Sequence, residues 1–424
     1  MTLTPSHLVN SSEVLVRKSL IIVLMFLAPP FAALAQSTDT LTARLDTLRA
    51  QGYEALYNLD YDTARKRFQE MTQLAPDHPA GAQCVAASLW LQQLNESWEL
   101  KATLYNSKSY ARENEKLDQQ RASEFHKWIK QAKQLSQARL RRDSRDKEGL
   151  YFLGAAEGLE AAFSAAVERR FMRALRSASD SVEHHQALLK LDPEFHDAEL
   201  TIGLNNYIIG ALPLPLRILA GSMGVRGSKK RGLQTLERVS NQGHWARDVA
   251  KVLLVDLYKR EKRWSDAITV SRALATKFPR NYLFKLQLAD AFSARILATS
   301  KSDTTSSSDQ LEIIKIFELL LADKATEVSA LDLIHFRYGE TLLLLDNPNR
   351  ALKEFQLVVS HRTAEPWLQT MSKLRVAQSL DLVGKRTEAL ATYRVLISSP
   401  TSDEVRDEAR RGLREPYQLA IRKD

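Results

Sequence analysis

The stretch "YGETLLLLDNPNRALKEFQLVV" (338–359) decides the fold, because its small and aromatic residues stand at the spacing of a helix pair. Gly339 and Ala351 lie twelve residues apart and are small enough to let two adjoining helices touch. Phe355 and Val358 follow on the second helix and would fill the gap to the next pair. The stretch therefore predicts a hairpin of two helices.

The same spacing recurs along the chain. The matching sets are Gly52, Ala64, Phe68, Met71 and Pro76; Tyr258, Ala267, Leu274 and Pro279; and Ala377, Ala389, Tyr393, Leu396 and Pro400. Gly154, followed by "ALLKLDP" (187–193), indicates a divergent unit. This pattern resembles the tetratricopeptide-repeat (TPR) family, over most of 40–415. The resemblance implies an all-α, right-handed solenoid of eight or nine hairpins, and it specifies architecture better than function.

Two units fit the pattern only with inserted residues. Gly203 and Gly232 are 29 residues apart instead of twelve, which makes an insert of 17 within 210–228. Ala289 and Ile313 are 24 apart, and the twelve extra residues coincide with the Ser/Thr-rich run 299–310. That run is too polar to bury a core, so we predict a flexible loop. It would separate an array over 36–298 from C-terminal units and a capping helix over 311–424.

The first insert, inside "YIIGALPLPLRILAGSMGVRGSKKRG" (207–232), is unusually apolar. Pro215 is expected to open a short helix that ends at about Ser222. Burying each leucine is worth about 1.5–3 kcal/mol, so the segment should pack on something. Three surfaces could cover the segment: the array itself, a partner protein, or a membrane whose head groups contact the basic residues. The candidate contact residues are Leu212, Leu214, Leu216, Arg217, Lys229, Lys230 and Arg231.

The segment 203–239, "GLNNYIIGALPLPLRILAGSMGVRGSKKRGLQTLERV", has a second likeness together with the repeat that follows it. A leucine-proline segment, a glycine-flanked basic turn and a repeat ending in an aromatic-proline pair are similar to the Iml2/tetratricopeptide-repeat-39-like group, over 200–281. The chain departs from that group at 227–229, where Gly-Ser-Lys replaces an acidic turn. The resemblance implies the repeat fold and brings no catalytic residue with it.

The N-terminus has the pattern of a secretory signal peptide. Arg17 and Lys18 precede an apolar run, 20–28, and "ALA" (33–35) is a cleavage site before Gln36. We predict a signal peptide over 1–35, cleaved after Ala35, and a periplasmic or secreted protein. The alternative is an uncleaved N-terminal anchor.

Composition and motifs argue against an enzyme and against a nucleic-acid-binding protein. The net charge is +9, but acids are interleaved with the basic clusters, and an export signal is at odds with nucleic-acid binding. Cys84 is the sole cysteine, lies in an apolar run and is expected to be buried. The segment "GSMGVRGSKK" (221–230) lacks the spacing of a phosphate-binding loop. The histidines form no metal-ligand set. We therefore expect no enzyme, no metal and no cofactor.

The remaining hypothesis is a scaffold that holds a protein or peptide partner. Stacked hairpins leave a concave face lined by the first helix of each pair. The groove-facing candidates are Arg49, Tyr53, Tyr57, Asp256, Lys259 and Arg260. The two tyrosines could instead pack inside a unit. Later groove positions (Phe336, Leu343, Leu344 and Leu382) are apolar, which predicts a groove that is partly self-filled or takes an apolar segment. The alternative function is a peripheral membrane protein that docks through the insert.

Overall fold

The computed structural model describes residues 31–96, 118–222, 226–299, 304–323, 328–362 and 364–419. These residues form helices and connecting turns, with no strand among them. The helices are α1 (Phe31–Tyr57), α2 (Tyr61–Leu74), α3 (Pro79–Glu96), α4 (Gln119–Arg142), α5 (Lys147–Ala166), α6 (Phe171–Leu191), α7 (Glu199–Ala211), α8 (Leu214–Ser222), α9 (Lys229–Gln242), α10 (Arg247–Arg260), α11 (Trp264–Lys277), α12 (Tyr282–Ala298), α13 (Thr304–Ala322), α14 (Val328–Leu344), α15 (Pro348–Ser360), α16 (Pro366–Leu382), α17 (Arg386–Ser398) and α18 (Asp403–Arg414).

Each helix packs on the next one in the chain, except that α7 pairs with α9 across the short helix α8. The first helix of most hairpins also touches the first helix of the following hairpin, as α12 touches α14 and α14 touches α16. Among the described residues the pairing gives eight hairpins, α1–α2 through α16–α17, and α18 closes the last one. The predicted all-α solenoid is confirmed.

The residues that define the repeat occupy the positions that their spacing predicts. Gly339 lies directly on the ring of Phe355, and Ala351, Phe355 and Val358 are fully buried. The other units repeat this arrangement. The buried equivalents are Ala64, Phe68 and Met71; Leu236 and Val239; Ala267 and Leu274; Ile313, Phe317 and Leu320; and Ala389, Tyr393 and Leu396.

The turn between the two helices of a hairpin has one recurring backbone conformation, which could not be predicted from the residue types in the turn. Its central residue has a left-handed backbone in the first, fifth, seventh and eighth hairpins: Leu59, Lys262, Asp346 and Gly384. In each, the following N–H closes on a carbonyl five residues back, as Asn347 does on Leu342 at 2.8 Å. This closure satisfies the last carbonyls of the helix and reverses the chain in three residues. Just one of the four uses glycine.

The fourth hairpin has a longer connection in place of this turn, which spans 212–228 and contains α8 over nearly the span predicted from Pro215. The predicted loop 299–310 is wrong in part, because α13 begins at Thr304. Asp309 is buried and accepts two hydrogen bonds from Arg295 of α12, at 2.8 and 2.6 Å. A tertiary ion pair thus holds in a helix a stretch whose composition favours a loop.

The predicted signal peptide lies almost wholly outside the described residues, which begin at Phe31 with the backbone of α1. Within the part of the chain that the structure describes, no helix combines the length and the apolar character that crossing a membrane requires.

A buried histidine sits in the third hairpin, at the close approach of α5 and α6. His185 is 1% exposed and lies against Gly154. Its Nε2 is 3.0 Å from the Tyr151 carbonyl and its Nδ1 is 2.6 Å from the Thr201 hydroxyl. The carbonyl can only accept, so Nε2 carries the proton and the Thr201 hydroxyl donates to Nδ1. Burial lowers the pKa of His185 to about 4.

Gly339→Ala is expected to destabilise the seventh hairpin. A Cβ at this position would lie 2.6 Å from Cε1 of Phe355, so the ring would have to move. The expected loss is about 1–3 kcal/mol of unfolding free energy, measured by urea unfolding. The control is Gly221→Ala, whose Cβ meets no atom within 4 Å and which should be neutral or slightly stabilising. Equal effects at the two positions would contradict close helix contact.

Stability is expected to fall in mild acid because of His185. Its pKa is about 4 in the folded chain and 6.5 ordinarily, so the unfolded chain binds the proton more readily. The contribution of neutral His185 to the free energy of unfolding, about 3 kcal/mol, is fully present above pH 6.5. It is lost as the pH falls from 6.5 to about 4. Urea unfolding across this pH range should show a shallower dependence in His185→Gln. The exposed His244→Gln is the control and should leave the slope unchanged.

Candidate functional site

A ladder of charged side chains crosses the concave face from the fifth hairpin to the eighth. The Lys259 ammonium lies 3.1 Å from Asp290, and Asp290 is 2.9 Å from the Arg337 guanidinium. Arg337 also contacts Glu340 at 3.2 Å, and Glu340 lies 2.9 Å from Arg375. The ladder therefore joins α10, α12, α14 and α16 in order.

Two of the predicted groove residues belong to this ladder. Lys259 contacts Asp256 at 3.3 Å as well as Asp290, whereas Arg260 is exposed. Burial works to lower the pKa of Lys259, but Asp290 and Asp256 raise it above its ordinary value. The ammonium therefore stays charged at neutral pH.

The rest of the ladder escaped the sequence analysis, although a signal exists. An acid directly follows the small residue of the first helix in two hairpins, Asp290 after Ala289 and Glu340 after Gly339, and Asp256 follows Val255 in the fifth hairpin. Two residues before the small residue, Arg337 and Arg375 each pair with the acid of the preceding hairpin. Comparing these two positions between repeats would have found the ladder.

Beside the ladder lies an open groove of about 850 Å³. Leu343 and Leu344 of α14 line it, together with Arg337 and Arg375 of the ladder. The wall of the groove therefore offers both apolar contacts and charged hydrogen-bonding groups.

The chain's own C-terminal stretch enters this groove. After α18 ends, the Tyr417 amide donates to Asp381 at 2.9 Å, and both Tyr417 and Leu419 line the groove. Leu419 packs on the main hydrophobic cluster. The groove is therefore partly self-filled, which is one of the two outcomes predicted from Leu343, Leu344 and Leu382. Phe336, the fourth predicted groove residue, is instead fully buried.

The predicted contact patch on α1 is not an open surface. Arg49 and Tyr57 are 6% and 8% exposed, and Tyr53 is half-buried. Tyr57 packs on Phe278 and Phe284, with ring centroids 5.0 and 6.4 Å away. The patch is buried because α1 lies against the fifth and sixth hairpins, a closure that the repeat spacing does not reveal.

Polar contacts seal this closure. The Asn281 side-chain amide donates to the Tyr57 carbonyl at 2.6 Å, and the Arg280 amide donates to the Asn58 side chain at 3.1 Å. The Oδ1 atom of Asn281 accepts from Leu283 and caps α12. One side chain thus starts a helix and anchors α1.

Trp245 is the second anchor of the closure. Its ring nitrogen donates to Asp46 of α1 at 3.2 Å, and the Arg49 guanidinium lies 4.3 Å from its ring centroid. Asp197 fixes the backbone at Trp245, because its carboxylate accepts hydrogen bonds from the Trp245 and Ala246 amides at 2.9 and 2.7 Å. Asp197 therefore caps the start of α10 across space.

The closure leaves a cavity of about 680 Å³. Arg49, Tyr53, Tyr57, Trp245 and Phe278 form part of its wall. Three of these five are the predicted candidates of α1, so they do lie together, in a cavity rather than on an open face.

The electrostatics around Arg49 keep it charged. Burial works to lower its pKa, but that pKa still lies above the ordinary value, so the guanidinium is charged at neutral pH. Cys84 is fully buried, as predicted, and burial raises the pKa of its thiol. A protonated, buried thiol is a packing group rather than a nucleophile.

The insert is more exposed than its apolar sequence predicts. Leu214 is 59% exposed on α8, and Ile218 is 64% exposed on the same helix. Leu212 is half-buried and Arg217 is exposed, whereas the Leu216 side chain lies outside the described residues. Lys229 lies 2.8 Å from Glu261, while Lys230 and Arg231 are exposed. Of the three surfaces considered for this segment, the array does not cover Leu214.

Five of the eight described histidines pair with a single carboxylate each. Examples are His335 with Glu354 at 2.7 Å and His361 with Asp332 at 2.6 Å. Within the described ranges, no group of three or more His, Cys, Asp or Glu side chains is placed to hold a metal ion.

No known family model matches this chain, and no curated protein matches it. Among solved structures, the chain is similar to human IFIT1, a dimer with m7Gppp-AAAA, at a TM-score of 0.42 and 13% identity, over 87% of this chain and 84% of that one. Yeast Tom70 is similar at a TM-score of 0.34 and 11% identity, over 85% of this chain and 87% of that one. A tetratricopeptide repeat protein from Parabacteroides merdae is similar at a TM-score of 0.29 and 11% identity, over 78% of this chain and 99% of that one. The fold assignment rests on the hairpin geometry above. The Iml2-like resemblance of 200–281 stays a prediction.

Asn281→Asp is expected to loosen α1 without unfolding the array. The carboxylate keeps the cap on Leu283 but cannot donate to the Tyr57 carbonyl, which costs about 1–3 kcal/mol of closure free energy. Hydrogen exchange should accelerate in α1 and stay unchanged in α14–α18. The matched control is Asn347→Asp, whose side chain caps α15 through Arg350. If exchange in α1 does not change, the closure does not depend on this bond.

Proposed function

We propose that this chain is a non-enzymatic scaffold that binds an extended segment of a partner protein in the groove beside the charged ladder. The observation that carries the proposal is the seating of Tyr417 and Leu419 in that groove. A site that already holds one extended stretch, by a main-chain hydrogen bond and apolar contacts, has the chemistry to hold another.

The seated stretch also supports a particular partner chemistry. Side chains two residues apart on an extended backbone point to the same side, as Tyr417 and Leu419 do in lining the groove. The partner segment would therefore present an aromatic and an aliphatic residue at this spacing. Its backbone would replace the Tyr417 amide at Asp381.

Export is part of the proposal. The basic region at Arg17 and Lys18, the apolar run and "ALA" (33–35) support a cleaved signal peptide and a periplasmic or secreted location. N-terminal sequencing of the protein from an envelope fraction should begin at Gln36. A start at Met1 in the cytoplasm would contradict the export proposal and leave the groove proposal untouched.

A fluorescein-labelled peptide of residues 415–424 tests the groove. It should bind the full chain carrying Tyr417→Ala and Leu419→Ala with a Kd in the micromolar range, measured by anisotropy. Binding to the unaltered chain should be at least about tenfold weaker, because the tethered tail competes at high effective concentration.

Two further substitutions in that background locate the site. Leu344→Asp, in the groove wall, should weaken binding at least about tenfold, because the carboxylate faces the apolar side chains of the peptide. Leu357→Asp, on the exposed face of α15, should leave binding unchanged. Equal binding by both variants, or by the chain with and without its own tail, contradicts the proposal.

A further inference from the structure

Arg49 is a buried cation that no described carboxylate neutralises. It is 6% exposed, no carboxylate oxygen of the described residues lies within 4.0 Å of its nitrogens, and its Nε has no hydrogen-bond partner among them. The guanidinium carbon lies 4.3 Å from the ring centroid of Trp245 and 5.5 Å from that of Phe152. Buried charges in proteins are ordinarily paired, so this side chain lacks its usual counterpart.

Three of the acids near Arg49 have other partners, and a fourth, Glu54, lines the same cavity with an exposed side chain. Asp46 accepts the Trp245 ring N–H, and Asp248 lies 2.6 Å from Lys277. Glu148 borders a smaller cavity of about 200 Å³ that Arg49 also lines, but Arg139 holds it at 2.7 Å. None of these carboxylates lies within 4.0 Å of the Arg49 nitrogens.

The cavity beside Arg49 has the size and the walls of a small-molecule site. Its volume of about 680 Å³ is within the usual range for such sites, and aromatic rings supply much of the wall. Tyr53 stacks on Tyr57 at 6.0 Å and Tyr57 packs on Phe278 at 5.0 Å, so these rings form a continuous part of the wall, to which Trp245 also contributes. An apolar body can pack against these rings.

The charges of the wall select the ligand. A guanidinium pairs most strongly with a planar, two-oxygen anion. Asp46 and Glu54 line the same cavity and would repel a second negative charge, which disfavours a phosphate dianion. A single carboxylate with an aromatic or branched aliphatic body satisfies both conditions.

We propose that this cavity binds a small monocarboxylate of that kind, with its carboxylate paired to Arg49 and its apolar body packed against the aromatic wall of the cavity. The site is separate from the groove beside the ladder and does not depend on the scaffold function proposed above. The chemistry is the same for a free organic acid and for the C-terminal residue of a peptide.

Isothermal titration of the intact chain with phenylacetate and indole-3-acetate tests the site. We expect a Kd on the order of 100 µM for the better acid. The corresponding amides, which have the same shape and no charge, should bind at least about tenfold more weakly. N-acetyl-Ala-Phe and its amide form the second arm: tighter binding of this acid than of the free acids assigns the site to a peptide end.

Variants place the anion at Arg49. Arg49→Met should abolish binding of the acids, and Arg49→Lys, which keeps the charge but not the fork of donors, should weaken it several-fold. Arg44→Met removes the same charge from an exposed position of α1 and should change nothing. Circular dichroism checks that each variant is folded, and the comparison of acid with amide on the unaltered chain needs no variant. Failure of every acid to bind, or equal binding of acids and amides, overturns the proposal.

Discussion

The hydrogen bond from the Asn281 side chain to the Tyr57 carbonyl joins residues 224 positions apart, and the shape of the N-terminal half depends on it. In an array of helix hairpins, contacts are expected between neighbours only. This bond, with the packing of Tyr57 on Phe278 and Phe284, instead brings the first hairpin against the fifth and sixth. The bonded groups are buried, so leaving either one unpaired would be costly.

The closure divides the concave face into two regions of different character. Towards the N-terminus it leaves a cavity walled largely by aromatic rings, in which Arg49 forms no ion pair with a carboxylate of the described residues. Towards the C-terminus the first helices stay open, and the ladder from Lys259 to Arg375 borders a groove. The first region suits a small ligand and the second an extended chain.

The sequence alone predicted most of the fold, because the contacts that define a hairpin are local and repeat at one spacing. Gly339, Ala351 and Phe355 could be assigned without coordinates, and the insert predicted within 210–228 coincides with the long connection of the fourth hairpin. The helix at 304–310 could not be predicted, since the Asp309–Arg295 pair holds it from a neighbouring helix. The same holds for the candidate sites: the residues of α1 were found, but not their surroundings.

What the sequence determined by itself is the helix pair, its small and aromatic positions and the order of the units along the chain. These follow from side-chain volume at a fixed helical spacing, which is readable in any window of the sequence. Only the tertiary structure decided that Arg49 and Tyr57 are buried, that Trp245 faces Asp46 and that Leu419 returns to the groove. These contacts depend on the small rotation between successive hairpins, which accumulates over the array and leaves no periodic trace in the sequence.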